Sequence, residues 1–121
     1  MSYLIIGSSS GLGRELAYTF AKNHNNLILV SRDERDLLPI KSDIEQKFDV
    51  KIKTIELDFS STEDIERKIL SQKEVLLDLE GVMFPIGLMF EKDNLGLHNK
   101  DAIKILNANY LSIGYTIENL K

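Results

Sequence analysis

The sequence predicts an α/β fold built on a parallel sheet, and three observations support that prediction. Apolar runs typical of buried strands alternate along the chain with amphipathic helical patterns. The runs are nearly all apolar, as in parallel strands that are covered on both faces. A glycine-rich turn joins the first run directly to the first helical pattern. The predicted strands are residues 3–6, 27–31, 50–57 and 81–84.

The first two predicted helices follow the first two strands. One spans residues 12–23 and has an apolar stripe, and the polar residues 23–26 are expected to end it. The other spans residues 33–48, with apolar residues three and four positions apart. Pro39 lies inside this second pattern, so it must occupy an early turn or kink the helix.

Two further helices are predicted in the second half of the chain. The third is expected from Ser60 to Gln72, because Ser60 and Glu63 have the spacing of a capping box. Asn99 is expected to cap the fourth helix. The apolar stripe of this fourth helix, from Ala102 to Leu120, is wide enough for contacts on two sides.

Length and composition exclude several classes of protein. A chain of 121 residues with 43% hydrophobic content forms one domain, residues 1–121, and no repeat or linker interrupts it. The net charge of −4 gives no attraction to nucleic acid or to an anionic membrane. The absence of cysteine removes disulfides and thiolate metal sites, and the two histidines are far apart, so no metal site is expected. The first apolar run is too short for a signal peptide or a membrane span, so the expected location is cytoplasmic.

The glycine loop between the first strand and the first helix is the main functional motif. Residues without Cβ at such a turn let the backbone approach a diphosphate, and the free amides of the helix start face the anion. A glycine-rich turn without a ligand is the alternative, but the position between strand and helix favours dinucleotide binding. The candidate contacts in the loop are Gly7, Ser9, Ser10, Gly11, Leu12 and Gly13.

The spacing of this loop, GxxxGxG, resembles that of the short-chain dehydrogenase/reductase family. Residues 6–14 are similar to the family's TGxxxGIGR loop, with Ile6 in place of the usual threonine. The resemblance extends over nearly the whole chain. It implies a Rossmann-like, doubly wound parallel sheet, here of about four strands in the order 3-2-1-4, and an oxidoreductase that uses NAD(P).

Three further positions bear on the cofactor through this resemblance. Asp58 matches the aspartate that holds the adenine amino group in the family, and Phe59 beside it is assigned to the same site. At the end of the second strand, members that prefer NAD usually have an aspartate, whereas this chain has Ser31 followed by Arg32. Ser31 cannot repel a 2′-phosphate and Arg32 can pair with it, so NADP is predicted rather than NAD. The alternative is that Arg32 is a solvated residue that starts a charged helix.

The chain departs from the family pattern after the fourth strand. The family has Asn-Asn-Ala-Gly there, whereas this chain has Phe84-Pro85-Ile86-Gly87. Asn109 matches the fourth-helix asparagine that supports a water in the family's proton relay, and is the one catalytic-group residue that is predicted. The family's catalytic serine and Tyr-x-x-x-Lys pair are expected beyond Lys121, so the chain is interpreted as a truncated, nucleotide-binding half that is inactive alone.

One Tyr-x-x-x-Lys string does occur, from Tyr18 to Lys22. It lies on the first predicted helix, whose start faces the diphosphate while its later turns run along the outside of the sheet. A tyrosine and a lysine four residues apart on a helix are an ordinary pairing. We therefore interpret the string as unrelated to catalysis.

Two other functions and a mode of assembly also follow from the sequence. The alternative to an NADP-dependent oxidoreductase is a non-catalytic nucleotide-binding or regulatory module, which the segment 84–86 favours. A third interpretation is an assembly protein with an inherited glycine loop, against which the retained glycines and Asp58 argue. The fourth strand would be an edge without protective charges or a bulge, so a homo-oligomer is expected through that edge or through the last helix.

Overall fold

The computed structural model describes residues 2–9, 11–76, 78–85 and 112–120. These residues fall into two units, one containing the four strands with the first two helices, the other containing the last two helices. The assignment of residues 1–121 to one domain stays a prediction. The elements in chain order are β1 (Ser2–Ile6), α1 (Gly11–Lys22), β2 (Asn26–Ser31), a 3-10 helix (Glu34–Asp36), α2 (Leu38–Lys47), β3 (Ile52–Glu56), α3 (Thr62–Ser71), β4 (Leu79–Met83) and α4 (Ser112–Leu120).

The four described strands form one parallel sheet in the order β3-β2-β1-β4. This confirms the predicted fold class and strand order. Each predicted strand is present, and its bounds differ from the prediction by no more than two residues. The order places β1 and β2 at the centre of the described sheet, so the segments that follow these two strands lie side by side at its carboxyl edge.

Helices α1 and α2 pack against one face of the sheet. The core there is made of apolar side chains from both helices, from three strands and from the segments next to them. Its buried members are Ile5, Ala17, Ala21, Leu27, Leu29, Leu37, Ile40, Ile44, Val50 and Ile52. The alternate residues of the central strands, among them Leu4, Ile28 and Val30, are also buried, which explains why the strands are apolar throughout.

The segment after β2 is split where one helix was predicted. A 3-10 helix over Glu34–Asp36 comes first, and α2 begins only at Leu38, with Pro39 in its first turn. Proline has no amide to donate to the carbonyl four residues earlier, which disfavours an α-helix that runs from residue 33 through this position. The prediction of a single helix over residues 33–48 was therefore wrong at its start, while the early-turn placement of Pro39 is confirmed.

The end of α1 is a Schellman motif, which confirms the predicted stop. The amide of His24 donates to the carbonyl of Ala21 at 2.9 Å, and the amide of Asn25 donates to that of Phe20 at 3.1 Å. His24 takes the left-handed position with φ of 65°, where glycine is the usual residue.

The predicted cap of α3 is wrong by one residue. Ser61, not Ser60, is the N-cap, and its hydroxyl accepts from the amide of Asp64 at 3.2 Å. The hydroxyl of Ser60 instead donates to Asp58 at 2.6 Å. Because Asp58 engages Ser60 in the preceding turn, the helix starts one residue later than the capping-box pattern predicted.

In the second unit, α3 packs against α4. Ile65 and Ile69 of α3 are buried, and so is Thr116 of α4. Ile117, which lies within the apolar stripe predicted for the last helix, is 47% exposed, whereas Thr116 beside it is buried. The predicted cap Asn99 lies outside the described residues, as does the helical pattern before Ser112.

Strand β4 lies at the edge of the described sheet. It begins at Leu79, two residues earlier than predicted, and its pairing with β1 shifts register between Ser2 and Tyr3. Ser2 pairs with Leu79 and Tyr3 with Gly81, so Glu80 between them has no partner in the ladder and is exposed. The prediction that this strand lacks both a charge and a bulge was therefore wrong.

Candidate functional site

The glycine loop has a conformation that requires glycine at two of its positions. Gly7 has φ of 88° and Gly11 has φ of 55°, both in the region that residues with a Cβ rarely adopt. The amide of Gly7 donates to the carbonyl of Val30 at 2.9 Å, and the amide of Ser8 donates to the same carbonyl at 3.2 Å. The loop is thereby fixed to the end of β2.

Gly13 is required for a different reason, the close approach of α1 to the end of β1. A methyl group at Gly13 would lie 1.9 Å from the carbonyl oxygen of Gly7 and 2.9 Å from the Cα of Ser8. No side chain fits at that distance. The first turn of α1 therefore lies directly against the backbone that follows β1, which gives the tight strand-to-helix turn of a phosphate-binding loop.

Ser8 holds the loop in place, and the sequence reasoning did not single it out. Its side chain is fully buried. Its Oγ lies 3.3 Å from each of the carbonyl oxygens of Ile5 and Val30, to which it can donate, and accepts from the amide of Val30 at 3.2 Å. Ile6, which stands in place of the family's threonine, is buried. Ser8 is a hydroxyl side chain that orders this loop.

The first turn of α1 is suited to an anion. The amides of Gly11, Leu12 and Gly13 have no acceptor within the helix, as at every helix start. No acidic side chain lies in this turn, and Arg14 next to it is exposed. Ser9 is partly exposed and available, while the predicted contact Ser10 lies outside the described residues. The loop thus fits the diphosphate of a dinucleotide.

Two cofactor contacts were predicted at the end of β2, Ser31 and Arg32. Arg32 is exposed to solvent. Ser31 is buried, and its hydroxyl donates to the carbonyl oxygen of Asp33 at 2.6 Å. This hydrogen bond stabilises the turn from β2 into the 3-10 helix. Because the hydroxyl proton of Ser31 is used in this bond, its Oγ can accept a further hydrogen bond but cannot donate one.

An ion pair follows at once in the sequence. The carboxylate of Asp33 accepts from the backbone amide of Arg35 at 3.0 Å and caps the 3-10 helix. The guanidinium of Arg35 donates to both oxygens of the same carboxylate, from Nε at 3.0 and 3.2 Å and from Nη2 at 2.7 Å. The hydrogen bonds from Arg35 lower the pKa of Asp33 to about 2.

Asp58 belongs to the second unit and lies in a turn that its own side chain stabilises. Its Oδ1 accepts from the amide and the hydroxyl of Ser60 at 3.0 and 2.6 Å. Its backbone amide donates to Asp64 at 2.9 Å, and Asp64 also pairs with Arg67. Burial opposes the ionisation of Asp64, but these two donors outweigh it and lower the pKa of that carboxyl. A cleft of about 420 Å³ lies here, lined by Asp58, Ser61, Glu63, Asp64 and Arg67.

The contacts of Tyr18 show that its role is structural. Its hydroxyl donates to the carboxylate of Asp43 on α2, and this hydrogen bond raises the pKa of Tyr18. Lys47 pairs with Asp43 at 3.1 Å and lies 5.7 Å from the centre of the tyrosine ring. Lys22, the other end of the string, is exposed. The tyrosine thus ties α1 to α2, and its raised pKa is the opposite of what a catalytic proton donor needs.

Three of the positions discussed from the sequence, Ile86, Gly87 and Asn109, lie outside the described residues. Phe84 and Pro85 follow β4 and are partly buried.

Within the ranges that the structure describes, no three acidic or histidine side chains are grouped so that they could hold a metal ion. Over the same ranges, no helix is both long and apolar enough to cross a bilayer.

Three features define a Rossmann-like protein of the dinucleotide-binding class. They are the strand order of the sheet, the close approach of α1 to Gly7, and the buried Ser8 that holds the glycine loop. A family model described as short chain dehydrogenase matches residues 2–119, and the chain belongs to this family. It is 34% identical over 116 residues to the very-long-chain 3-oxoacyl-CoA reductase of Homo sapiens, which covers 91% of this chain and 36% of that protein.

Solved structures agree on the fold. An alcohol dehydrogenase from the archaeon Thermococcus sibiricus superposes with a TM-score of 0.86 at 24% identity, over 98% of this chain and 51% of that one. A short-chain dehydrogenase from Sphingobium yanoikuyae gives 0.81 at 18% identity, over 98% and 46%. The chain thus spans about half the length of these solved chains and 36% of the human reductase.

Proposed function

We propose that the chain binds NADP(H) as the nucleotide-binding part of a carbonyl reductase. The observation that carries this proposal is the cradle made by Gly7 and Gly13, in which the first turn of α1 lies against the backbone that follows β1 with no room for a Cβ at Gly13. When bound, NADPH supplies the hydride. The residues of the loop hold its diphosphate, with Ser9, Ser10 and Leu12 as further contacts.

The adenine end is assigned to Asp58 and Phe59 by resemblance to the family. The hydrogen bonds that Asp58 receives from described residues all reach its Oδ1. Its Oδ2 is therefore able to accept from the amino group of adenine. The turn that holds Asp58 is fixed through Asp64, so the carboxylate is oriented before the nucleotide arrives.

The choice of NADP over NAD rests on Arg32. An exposed guanidinium directly after β2 can pair with a 2′-phosphate through charge-assisted hydrogen bonds. The Sphingobium protein was solved in complex with NADPH, and the Thermococcus protein with 5-hydroxy-NADP. The relatives named 3-oxoacyl-CoA reductases support reduction of a carbonyl group as the reaction class, and Asn109 is proposed to support the proton relay.

Calorimetric titration with NADP and NAD tests the proposal. A charge-assisted contact contributes about 1.5–3 kcal/mol, so Arg32→Ala should weaken NADP by about tenfold to 150-fold and NAD much less. Lys51→Ala is the matched control, because it removes the same charge from an exposed residue before β3, at the opposite edge of the sheet. Equal losses for both cofactors would contradict the assignment of NADP.

A second candidate function is nucleotide binding without catalysis. Phe84 and Pro85 occupy positions where the family has asparagines near the cofactor, and this substitution favours it. Turnover of NADPH with any of a panel of carbonyl compounds would contradict the second function. A flat signal is expected of both functions when this chain is tested alone, so they are separated by whether the reading frame continues past Lys121 into a serine and a Tyr-x-x-x-Lys pair, which the reductase requires.

We also propose that the chain self-associates as a two-fold dimer. β4 is at the edge of the described sheet, and Ile117 on α4 is 47% exposed. The bulge at Glu80 affects only the start of the strand, and residues 81–83, at the edge of the described sheet, are proposed to pair with the second copy. Light scattering over a concentration series measures the mass, and a monomer at tens of micromolar would contradict the proposal.

A further inference from the structure

The segment after β2 carries more negative than positive charge. Arg32 and Arg35 are its two cations, and they alternate with three carboxylates, those of Asp33, Glu34 and Asp36. A fourth carboxylate lies beside them, since Glu56 on β3 accepts from the amide of Glu34 at 3.4 Å. A 2′-phosphate brought to Arg32 carries nearly two negative charges and would be repelled by any carboxylate that is not neutralised.

The carboxylate nearest to Arg32 in the sequence is already neutralised. Both oxygens of Asp33 accept from the Arg35 guanidinium, in the forked geometry that gives the strongest pairs of this kind. Side chains two residues apart do not normally face each other on a helix. Here the backbone amide of Arg35 fixes the Asp33 carboxylate as a cap, at a point that the side chain of Arg35 can reach.

The Asp33–Arg35 pair lies close in the sequence to the position that distinguishes NAD from NADP in the family. In family members that prefer NAD, a carboxylate at the end of the second strand excludes the 2′-phosphate. Asp33 lies two residues beyond that position. The pair with Arg35 lowers the pKa of Asp33 to about 2, and an aspartate carboxyl is ionised at physiological pH even at its ordinary pKa, so a paired cation is needed to offset its charge.

We propose that Arg35 is a specificity-determining residue for NADP that acts through Asp33. Its guanidinium offsets the charge of the Asp33 carboxylate, so that this carboxylate does not compete with the 2′-phosphate for Arg32. Arg35 is a positioning residue and does not itself bind the phosphate. This inference rests on the proposed binding of NADP(H).

A double-mutant cycle on the full chain tests the inference, with NADP and NAD titrated calorimetrically at one ionic strength. Arg35→Ala should weaken NADP by about three- to tenfold and leave NAD within about twofold. Asp33→Asn keeps an oxygen that can cap the 3-10 helix but removes the charge. In that background, Arg35→Ala should change NADP binding by less than about twofold, because there is no carboxylate left to neutralise.

Two outcomes would overturn the inference. An equal or larger loss of NADP affinity in the Asp33→Asn background would show that Arg35 contacts the phosphate directly. Equal losses of NADP and NAD on Arg35→Ala would show a structural role only. Failure of the unmodified chain to bind either dinucleotide would contradict the proposed function itself and is distinct from both. Arg35 is 88% exposed, so its removal leaves the packed core untouched.

Discussion

The glycine loop of residues 7–13 and the charged segment of residues 32–36 follow neighbouring strands but are built on different physical principles. The loop is held by buried contacts, since Ser8 is fully buried and Gly13 has no space for a methyl group. The charged segment is held by an exposed ion pair between Asp33 and Arg35, and the Arg35 side chain is 88% exposed. A position with no space for a side chain tolerates almost no substitution, whereas exposed charged positions tolerate many substitutions.

Under the proposed binding of NADP(H), this difference divides the recognition of the dinucleotide into two tasks. The diphosphate is common to NAD and NADP and is assigned to the loop. The 2′-phosphate distinguishes the two cofactors and is assigned to the charged segment. Variants of the loop should therefore affect both cofactors equally, and variants of the segment should change their ratio.

The largest effect is expected from Gly13→Ala. The new methyl group would overlap the carbonyl oxygen of Gly7 at 1.9 Å, so α1 must move away from β1. We expect a loss of stability of about 1–3 kcal/mol and a loss of affinity above roughly 100-fold for both cofactors. Gly114→Ala in α4 is the control, because no atom lies within 4 Å of the added methyl group. Preference for one cofactor in the Gly13 variant would break the comparison.

Ser8→Ala should give the second largest effect. Removal of the hydroxyl deletes the buried hydrogen bonds that Ser8 makes with the backbone of Ile5 and Val30, each of which contributes about 0.5–1.5 kcal/mol of folding free energy. Urea denaturation of the variant measures this loss, and Ser42→Ala on the exposed surface of α2 serves as control. Affinity for NAD and NADP should fall by the same factor. A loss no larger than that of the control would show that the loop does not depend on Ser8.

Tyr18→Phe tests a contact outside both regions. Loss of the hydrogen bond to Asp43 should lower stability by roughly 0.5–1.5 kcal/mol, while the ring keeps its packing. Binding of either cofactor should not change, because the contact joins the outer parts of α1 and α2. A reductase signal that this substitution abolishes would contradict the interpretation of Tyr18 as structural.

The smallest effect concerns the titration of Asp33. Because its folded pKa is lowered from 3.8 to about 2, the contribution of the pair to stability is present above pH 3.8 and is lost as the pH falls toward 2. The carboxyl carbon of Asp33, followed by NMR, should titrate near pH 2 in the native chain. In Arg35→Ala the midpoint should move up toward the ordinary value. An unchanged midpoint would show that Arg35 is not the cause.

The sequence predicted most of the fold but missed details that depend on competition between neighbours. The capping-box spacing of Ser60 and Glu63 is a local pattern, yet Asp58 engages Ser60 and the cap moves to Ser61. The start of β4 was missed because Leu79 and Glu80 do not read as a strand, and pairing with β1 extends the strand over them. Both errors arise where a contact with another segment outweighs a local preference.

The sequence by itself determined the four strands, the first helix, the position of the glycine loop and the charge at the end of β2. These are properties of short stretches, set by the periodicity of apolar residues and by the conformational freedom of glycine. The tertiary structure decided how the loop is held and which charges are paired. The Ser8 hydroxyl bonds to Val30, 22 residues away, and Tyr18 bonds to Asp43, 25 residues away. Such contacts depend on the packing of distant segments, and no local pattern specifies them.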